Sequence, residues 1–254
     1  MEVINKFVKR IALVIVFFIS GMSVYAQNAH DIVEKADQKL KGNTNISTMK
    51  ITIIRPRWTR EMTMKSWAKG DQFSMILITS PKRDAGTVFL KRGNEIWNWV
   101  PAIERNIKLP PSMMMQDWMG TDFKNDDLVK QSSMVADYNQ ELLGDSIIEG
   151  RDCYKIKMIP KPDAAVVWGK VLLWIDKKDY LELRTEFYDE DNYLMTTLIA
   201  SNIKMLGGKL LPATMTMIPA GKPGNKTVME FLNITFDQPI ADNFFTTAKM
   251  KTIK

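Results

Sequence analysis

The feature that most constrains this chain is its punctuation. Residues 46–55, 58–68, 72–79, 87–91 and 95–100 are short and rich in β-branched and aromatic side chains, and Arg-Pro, Lys-Gly-Asp, Ser-Pro-Lys and Arg-Gly-Asn breaks separate them. The rhythm returns at 141–148, 152–159, 169–176, 181–189, 193–205, 210–218 and 227–236, with Gly207-Gly208 and Gly221-Lys222-Pro223-Gly224 as hairpin signals between the last three. Runs of this kind bounded by turn residues read as strands, and connections this short join antiparallel neighbours. No strand-helix-strand alternation and no fixed-period repeat interrupts them. About eleven or twelve strands in one sheet cannot stay flat and open: such a sheet curls, closes or splits into two layers.

Two segments leave that rhythm. In residues 28–42, Ile32, Ala36 and Leu40 recur every fourth position, Val33 widens the stripe and Gly42 supplies a stop, which predicts a helix with one apolar face. A helix with one apolar face must lie on something. Residues 101–140 read as a helical insertion between the two runs of strands. Ser112–Gly120, preceded by Pro110-Pro111, carries four methionines and a tryptophan. If residues 113–119 are helical, Met114, Met115, Trp118 and Met119 share a face, and Gln116 and Asp117 point elsewhere. Thr121-Asp122 would then cap a second short helix, with Asp126 and Asp127 near its start and Phe123, Leu128 and Val129 as its apolar contacts. Methionine is unbranched and polarizable, so such a cluster suits either an irregular core gap or a surface that accepts apolar partners of varying shape.

The strand faces carry related residues. Trp58, Met62 and Met64 fall on one parity of the second strand, Leu172 and Trp174 on one parity of 169–176, and Trp97 and Trp99 on one face of theirs. With Met215 and Met217, several strands offer large, soft or aromatic side chains to one side. A filled barrel core and the wall of an apolar cavity account for this pattern equally well.

The chain opens with Lys6, Lys9 and Arg10, the apolar run 11–19, and Val24-Tyr25-Ala26. This predicts a secretory signal peptide over residues 1–26, cleaved after Ala26, and an exported, periplasmic domain over residues 27–254. The apolar run is shorter than the roughly 20 residues a transmembrane span needs, and no cysteine follows it to take a lipid anchor. The formal charge of +6 falls to +4 when the one acidic and three basic residues of that segment leave. No block of like charge remains, so nothing points to nucleic acid, whereas a mildly basic surface suits transient contact with anionic membranes. The single Cys153 offers no internal disulfide and reads as a buried, inert thiol.

Catalytic signatures are missing. One histidine, His30, and one cysteine cannot assemble a Ser-His-Asp site or a multi-histidine zinc site. No nucleophile elbow, P-loop or dinucleotide fingerprint occurs. Asp189–Asn192 begins like a calcium loop but places Tyr193 and Leu194 where an oxygen ligand and a glycine belong, so it reads as a hairpin turn. The carboxylate pairs Asp126/Asp127, Asp176/Asp179 and Glu182/Glu186 have plain readings as helix-start, turn and solvated-face residues. The expectation is no enzyme, no cofactor and no metal.

Five stretches together resemble a known family. They are D-I-V-E-K-A-D-Q-K-L from Asp31, M-Q-D-W-M-G-T-D-F-K-N-D-D-L-V-K from Met115, W-G-K-V-L-L-W-I-D from Trp168, Y-L-E-L-R-T-E-F-Y-D-E-D-N from Tyr180, and D-N-F-F-T from Asp242. This pattern resembles the outer-membrane lipoprotein-sorting family, the periplasmic LolA/LolB-like carriers. The resemblance spans the mature chain, and the W-M-G-T-D-F-x-N-D-D-L segment is its most distinctive part. It implies a mainly β fold in which a single curved antiparallel sheet of about 11 strands makes an incomplete, half-open barrel with helices over the open side. It also implies a monomeric carrier and chaperone that binds acyl chains of lipoproteins or lipids in an apolar cavity and moves them from an inner-membrane donor transporter to an outer-membrane acceptor. On that reading Met114, Met115, Trp118, Met119 and Phe123 belong to the lid, and Trp58, Met62, Met64, Trp97, Trp99, Leu172, Trp174, Met215 and Met217 to the cavity wall. The family's lid-locking arginine has several counterparts here, Arg55, Arg57, Arg60, Arg83, Arg92 and Arg105, and the choice among them stays open. A sensor or adaptor that uses the same fold to bind a partner protein or an envelope-stress ligand, without transport, is the alternative.

Overall fold

The β-branched runs become strands, and their tight turns set each strand beside its neighbour in the chain. The computed structural model describes residues 29–130 and 133–254; the expected signal peptide, residues 1–26, lies outside them. The strands are β1 (Thr44–Arg55), β2 (Trp58–Lys69), β3 (Phe73–Ser80), β4 (Val88–Arg92), β5 (Glu95–Val100), β6 (Arg105–Lys108), β7 (Tyr138–Ile148), β8 (Arg151–Pro160), β9 (Lys170–Asp176), β10 (Glu182–Tyr188), β11 (Leu194–Leu206), β12 (Lys209–Pro219) and β13 (Lys226–Phe236). They form one antiparallel sheet in the order β6-β5-β4-β3-β2-β1-β13-β12-β11-β10-β9-β8-β7. Two meanders are thus joined along β1 and β13, which pair from Asn45 opposite Phe236 to Ile54 opposite Lys226. β6 and β7 remain edges, so the sheet curls without closing.

The count is thirteen, not about eleven, because β6 carries no readable signal. Its four residues, Arg-Asn-Ile-Lys, are mostly exposed and basic, the composition that edge strands use against unwanted pairing. Gly207 shows why the hairpin between β11 and β12 needs glycine. Its φ is +56°, and a Cβ there would stand 2.6 Å from the Ile234 carbonyl oxygen.

Both faces of the sheet are covered. On the concave face one core cluster gathers Met49, Ile51 and Ile53 from β1, Met62 and Met64 from β2, Ile156 and Met158 from β8, Val171, Leu173 and Ile175 from β9, and Met217 and Met229 from β12 and β13. Helix α1, over residues 29–41, lays Ala29, Ile32 and Val33 on this cluster. Gly42, at φ +61°, ends it with an N–H bond to the Gln38 carbonyl. On the convex face the chain's last residues return over β2 to β5. Phe245 and Met250 from the short helix α2 (Thr247–Met250) and its approach pack on Trp67, Met75, Leu77, Val88 and Leu90, with Trp97 and Trp99 against them.

The segment between the meanders is not the expected α-helical insertion. It holds β6, 3-10 turns at Pro101–Ile103, Pro111–Met113 and Trp118–Gly120, and a five-residue π-helical turn at Asp126–Lys130. A seven-residue helix is too short to nucleate well in isolation. Met119 and Gly120 also take positive φ, 50° and 78°, which breaks any helix running through them.

Candidate functional site

The concave face does not fill evenly, and side-chain volume decides where. Toward the C-terminal end of α1 its positions are small: Ser47 pairs across strands with Ser66, and Thr185 on β10 and Ala200 on β11 continue the band. The neighbouring positions carry Met49, Met64, Met215, Met217 and Met229. Small residues under a helix that stands off the sheet leave a cavity of about 310 Å³. Six methionines line it, the five just named and Met134, together with Phe123, Leu128, Trp168 and Phe187. Flexible thioethers make such a wall adaptable in shape.

The middle segment closes the other end. Met114 and Trp118 are buried in the core cluster, and Trp118 tilts against Phe89 with ring centroids 5.4 Å apart. Phe123 is buried and also reaches the cavity. Met119 is partly buried against the same cluster, and Met115 is 45% exposed. The five lid candidates therefore separate into a plug of Met114 and Trp118, a cavity contact in Phe123, and two peripheral methionines, because the turn conformation puts Met115 on the opposite side from Met114.

Two arginines fasten this segment to the sheet. Arg55, at the end of β1, donates to the Asp122 carboxylate at 2.9 Å and to the Gly120 carbonyl at 3.1 Å. Asp122 also accepts the Thr227 hydroxyl at 2.7 Å, and its own N–H bonds the same hydroxyl oxygen at 2.9 Å. Arg60 reaches the Met119 carbonyl at 3.4 Å and the Asp84 carboxylate at 2.9 Å. Among the six arginines the sequence left open, Arg55 and Arg60 hold the segment by direct contact.

The cavity is apolar in its body and polar at its ends. Near Phe123, the Asp127 carboxyl accepts the Lys124 N–H at 2.7 Å and the Trp168 indole N–H at 3.2 Å. Burial pushes its pKa up to about 6, against the pull of those two donors. At the α1 end, Lys41 pairs with Asp37 and Asp71, each at 2.7 Å. Burial raises Asp37 above the usual carboxylate range and raises Glu182 likewise.

Glu182 is the residue that sequence reasoning misplaced. Strict alternation sets it beside Arg184 and Glu186 on an outward face, but β10 carries a bulge between Glu182 and Arg184. Glu182 stands opposite Ile175, a concave core residue, while Arg184 stands opposite Trp174 on the other side. The bulge turns Glu182 into the cavity. A wall carboxylate at this depth is invisible to a period-two reading.

The wall candidates divide by face. Met62 and Met64 lie in the concave core, and Met64, Met215 and Met217 line the cavity. Trp97 and Trp99 pack beneath α2 on the convex side. Leu172 and Trp174 join Cys153, Leu181 and Leu183 in a separate cluster, with Lys155 and Arg184 over the Trp174 ring. Trp58 begins β2 and is half exposed, with the Arg55 guanidinium 5.8 Å from its ring centroid. His30 lies within 3.4 Å of the Gln140 side chain. Among the described residues no group of three or more histidine, cysteine or acidic side chains is placed to hold a metal ion, and no helix is long and apolar enough to cross a membrane.

Comparison with known proteins gives the same architecture. A family model described only as an uncharacterized protein matches residues 70–252. No curated protein matches the chain. Among solved structures, a domain described as an outer membrane lipoprotein-sorting protein domain from Vibrio parahaemolyticus superposes with a TM-score of 0.79 at 23% identity, over 89% of this chain and 99% of that one. A DUF1329 family protein from Desulfovibrio piger gives the same figures, TM-score 0.79, 23% identity, and 89% and 99% coverage. A LolA superfamily protein from Nitrosomonas europaea follows with a TM-score of 0.76 at 24% identity, over 87% of this chain and 98% of its own.

Proposed function

We propose that this chain, which belongs to the uncharacterized-protein family matched over residues 70–252 and has the fold of the outer-membrane lipoprotein-sorting proteins, is a periplasmic carrier of acyl chains. The observation that carries the reading is the cavity itself. An apolar space of about 310 Å³ in one body with the core, walled by methionines and roofed by a helix and a fastened loop, suits a disordered hydrocarbon tail. It falls at the lower end of the roughly 300–1,000 Å³ typical of ligand sites. Each methylene removed from water contributes about 0.8 kcal/mol, so one long chain supplies ample affinity without directional contacts.

In this reading the signal segment exports the chain, and the monomer takes cargo from an inner-membrane donor and delivers it to an outer-membrane acceptor. The cargo reaches the cavity when the rim at residues 120–122, held by Arg55, loosens, with Met114 and Trp118 staying in the core. A neutral apolar fluorophore, N-phenyl-1-naphthylamine, should bind the delipidated protein at a single site, and native mass spectrometry of protein purified from its own periplasm should find an amphiphile bound. A protein that emerges empty and never binds the fluorophore is not a carrier. Copurification with a partner protein would then favour the adaptor alternative.

A further inference from the structure

The α1 end of the cavity holds polar groups that the apolar reading does not use. Ser47 and Ser66 are 4% and 6% exposed, both line the cavity, and neither hydroxyl has a hydrogen-bond partner among the described residues. Both hydroxyls are open to the cavity space and free to bond a polar group placed there. Glu182 sits at the same end. The Thr185 hydroxyl donates to one of its carboxylate oxygens, and no other hydrogen bond or ion pair reaches it among the described residues.

The groups left open at this end favour one kind of head. Four acidic residues, Asp37, Asp126, Asp127 and Glu182, and three basic ones, Lys39, Lys41 and Arg184, line the cavity, and Asp37, Glu182 and the two lysines are those at its α1 end. Both lysines are engaged: Lys41 with Asp37 and Asp71, and Lys39 with the Asp179 carbonyl. Arg184 donates to Glu186 and stacks over Trp174 on the outer side, so it does not balance Glu182 from within. An anionic head placed against Ser47 and Ser66 would face the open oxygen of the Glu182 carboxylate. A head that donates hydrogen bonds, and above all a protonated amine, would meet the open oxygen of Glu182 and two waiting hydroxyls.

We infer that the α1 end of the cavity is a headgroup site for a long-chain amphiphile with an amine head, in which Glu182 accepts from the head and Ser47 and Ser66 complete its hydrogen bonding, while the tail runs along the methionine wall. The inference rests on the carrier reading and names the chemical class of its ligand. The chain thereby selects among amphiphiles of equal length, which a purely apolar cavity cannot do.

Displacement of bound N-phenyl-1-naphthylamine by decylamine and by decanoate, each below its micellar concentration at pH 7, tests it. The amine should displace the fluorophore about tenfold or more tightly than the carboxylate, the scale of one charge-assisted hydrogen bond. Glu182→Gln should bring the ratio near unity, whereas Glu186→Gln, on the outer face of the same strand, should leave it unchanged. Decanoate binding the wild type as well as decylamine would overturn the headgroup site whatever the variants do, and a ratio preserved in Glu182→Gln would overturn the role of Glu182. If the fluorophore binds but the two heads are not distinguished, the headgroup site fails and the carrier reading stands. If neither the fluorophore nor either amphiphile binds, both fall together.

Discussion

The same concave surface is a core at one end and a cavity at the other. Under the middle segment, Ile51, Ile53, Met62 and Phe89 meet Met114 and Trp118, and nothing is left open. Under the end of α1, Ser47, Ser66, Thr185 and Ala200 occupy the equivalent inward positions, and the space remains. The sheet is continuous between the two, and the difference lies in side-chain volume together with the register shifts at Thr48/Met49 on β1 and between Glu182 and Arg184 on β10. A binding site can thus be opened in a continuous sheet by a band of small residues across neighbouring strands.

If the filled end is true core, truncation there should be severe. Trp118→Ala should cost about 3–5 kcal/mol, because a buried aromatic leaves a cavity that its surroundings only partly collapse into. At roughly 2–4 °C per kcal/mol for a domain of this size, melting should fall by about 10 °C or more in one cooperative transition. A loss of only a degree or two would move Trp118 from core to mobile lid. Met115→Ala, at an exposed position beside it, should change melting by less than about 1 °C.

The fastening between the two ends comes next. Asp122 is nearly buried and its partner Arg55 is only 14% exposed in its side chain, so Arg55→Ala leaves a carboxylate with the Thr227 hydroxyl as its remaining side-chain partner. The expected cost is about 3 kcal/mol, the lower end of what removing one member of a buried pair costs. Release of bound N-phenyl-1-naphthylamine, followed by stopped flow, should speed up in the same variant. Unchanged melting and unchanged release would show that the segment is held by its apolar contacts instead.

How much of this was legible in the sequence depends on what a period of two can encode. It located twelve strands, because β-branched runs and turn residues are local signals, and it missed β6, whose four residues serve an edge. It could not say which parity faces inward. Met62, Met64, Met215 and Met217 do face inward, but Trp97 and Trp99 lie on a convex face made apolar by the returning chain end. Ile240, Phe244, Phe245, Met250 and Ile253 were the available hint, since so apolar an ending needs a surface to cover. Glu182 was hidden for a different reason: one inserted residue reverses the face, and bulges leave little trace in composition. The W-M-G-T-D-F stretch stood out as the most distinctive in the sequence, yet its Met119-Gly120 turn could not be told from a helix by apolar spacing.

A smaller effect should appear with pH at the rim between the two ends. Asp127, raised from 3.8 to about 6, binds its proton more readily folded than unfolded. Its contribution to stability is therefore full below about pH 4, falls as pH rises through 4 to 6, and is gone by about pH 7, by an amount on the order of 3 kcal/mol. Asp127→Asn cannot titrate and keeps an acceptor for the Trp168 indole. The melting temperature of the wild type relative to this variant should be highest at about pH 4 and decline toward pH 7. A difference that stays flat would mean that Asp127 is hydrated in solution and not enclosed.

The least change in stability is expected where the comparison is sharpest. Ala200 is 5% exposed, faces the cavity, and stands opposite Met215. Ala200→Leu adds three carbon atoms to space that is already open, so the overpacking that a larger side chain causes in a filled core, about 1–3 kcal/mol, has no reason to arise. The added burial should offset whatever adjustment the methionines make, and melting should stay within about 2 °C of wild type. Affinity for N-phenyl-1-naphthylamine should nevertheless fall, because the ligand and the new side chain compete for the same volume. A marked destabilisation would mean that this end is as tightly packed as the Trp118 end, and the contrast between core and cavity would disappear. Stability kept with affinity also kept would place the ligand elsewhere on the protein.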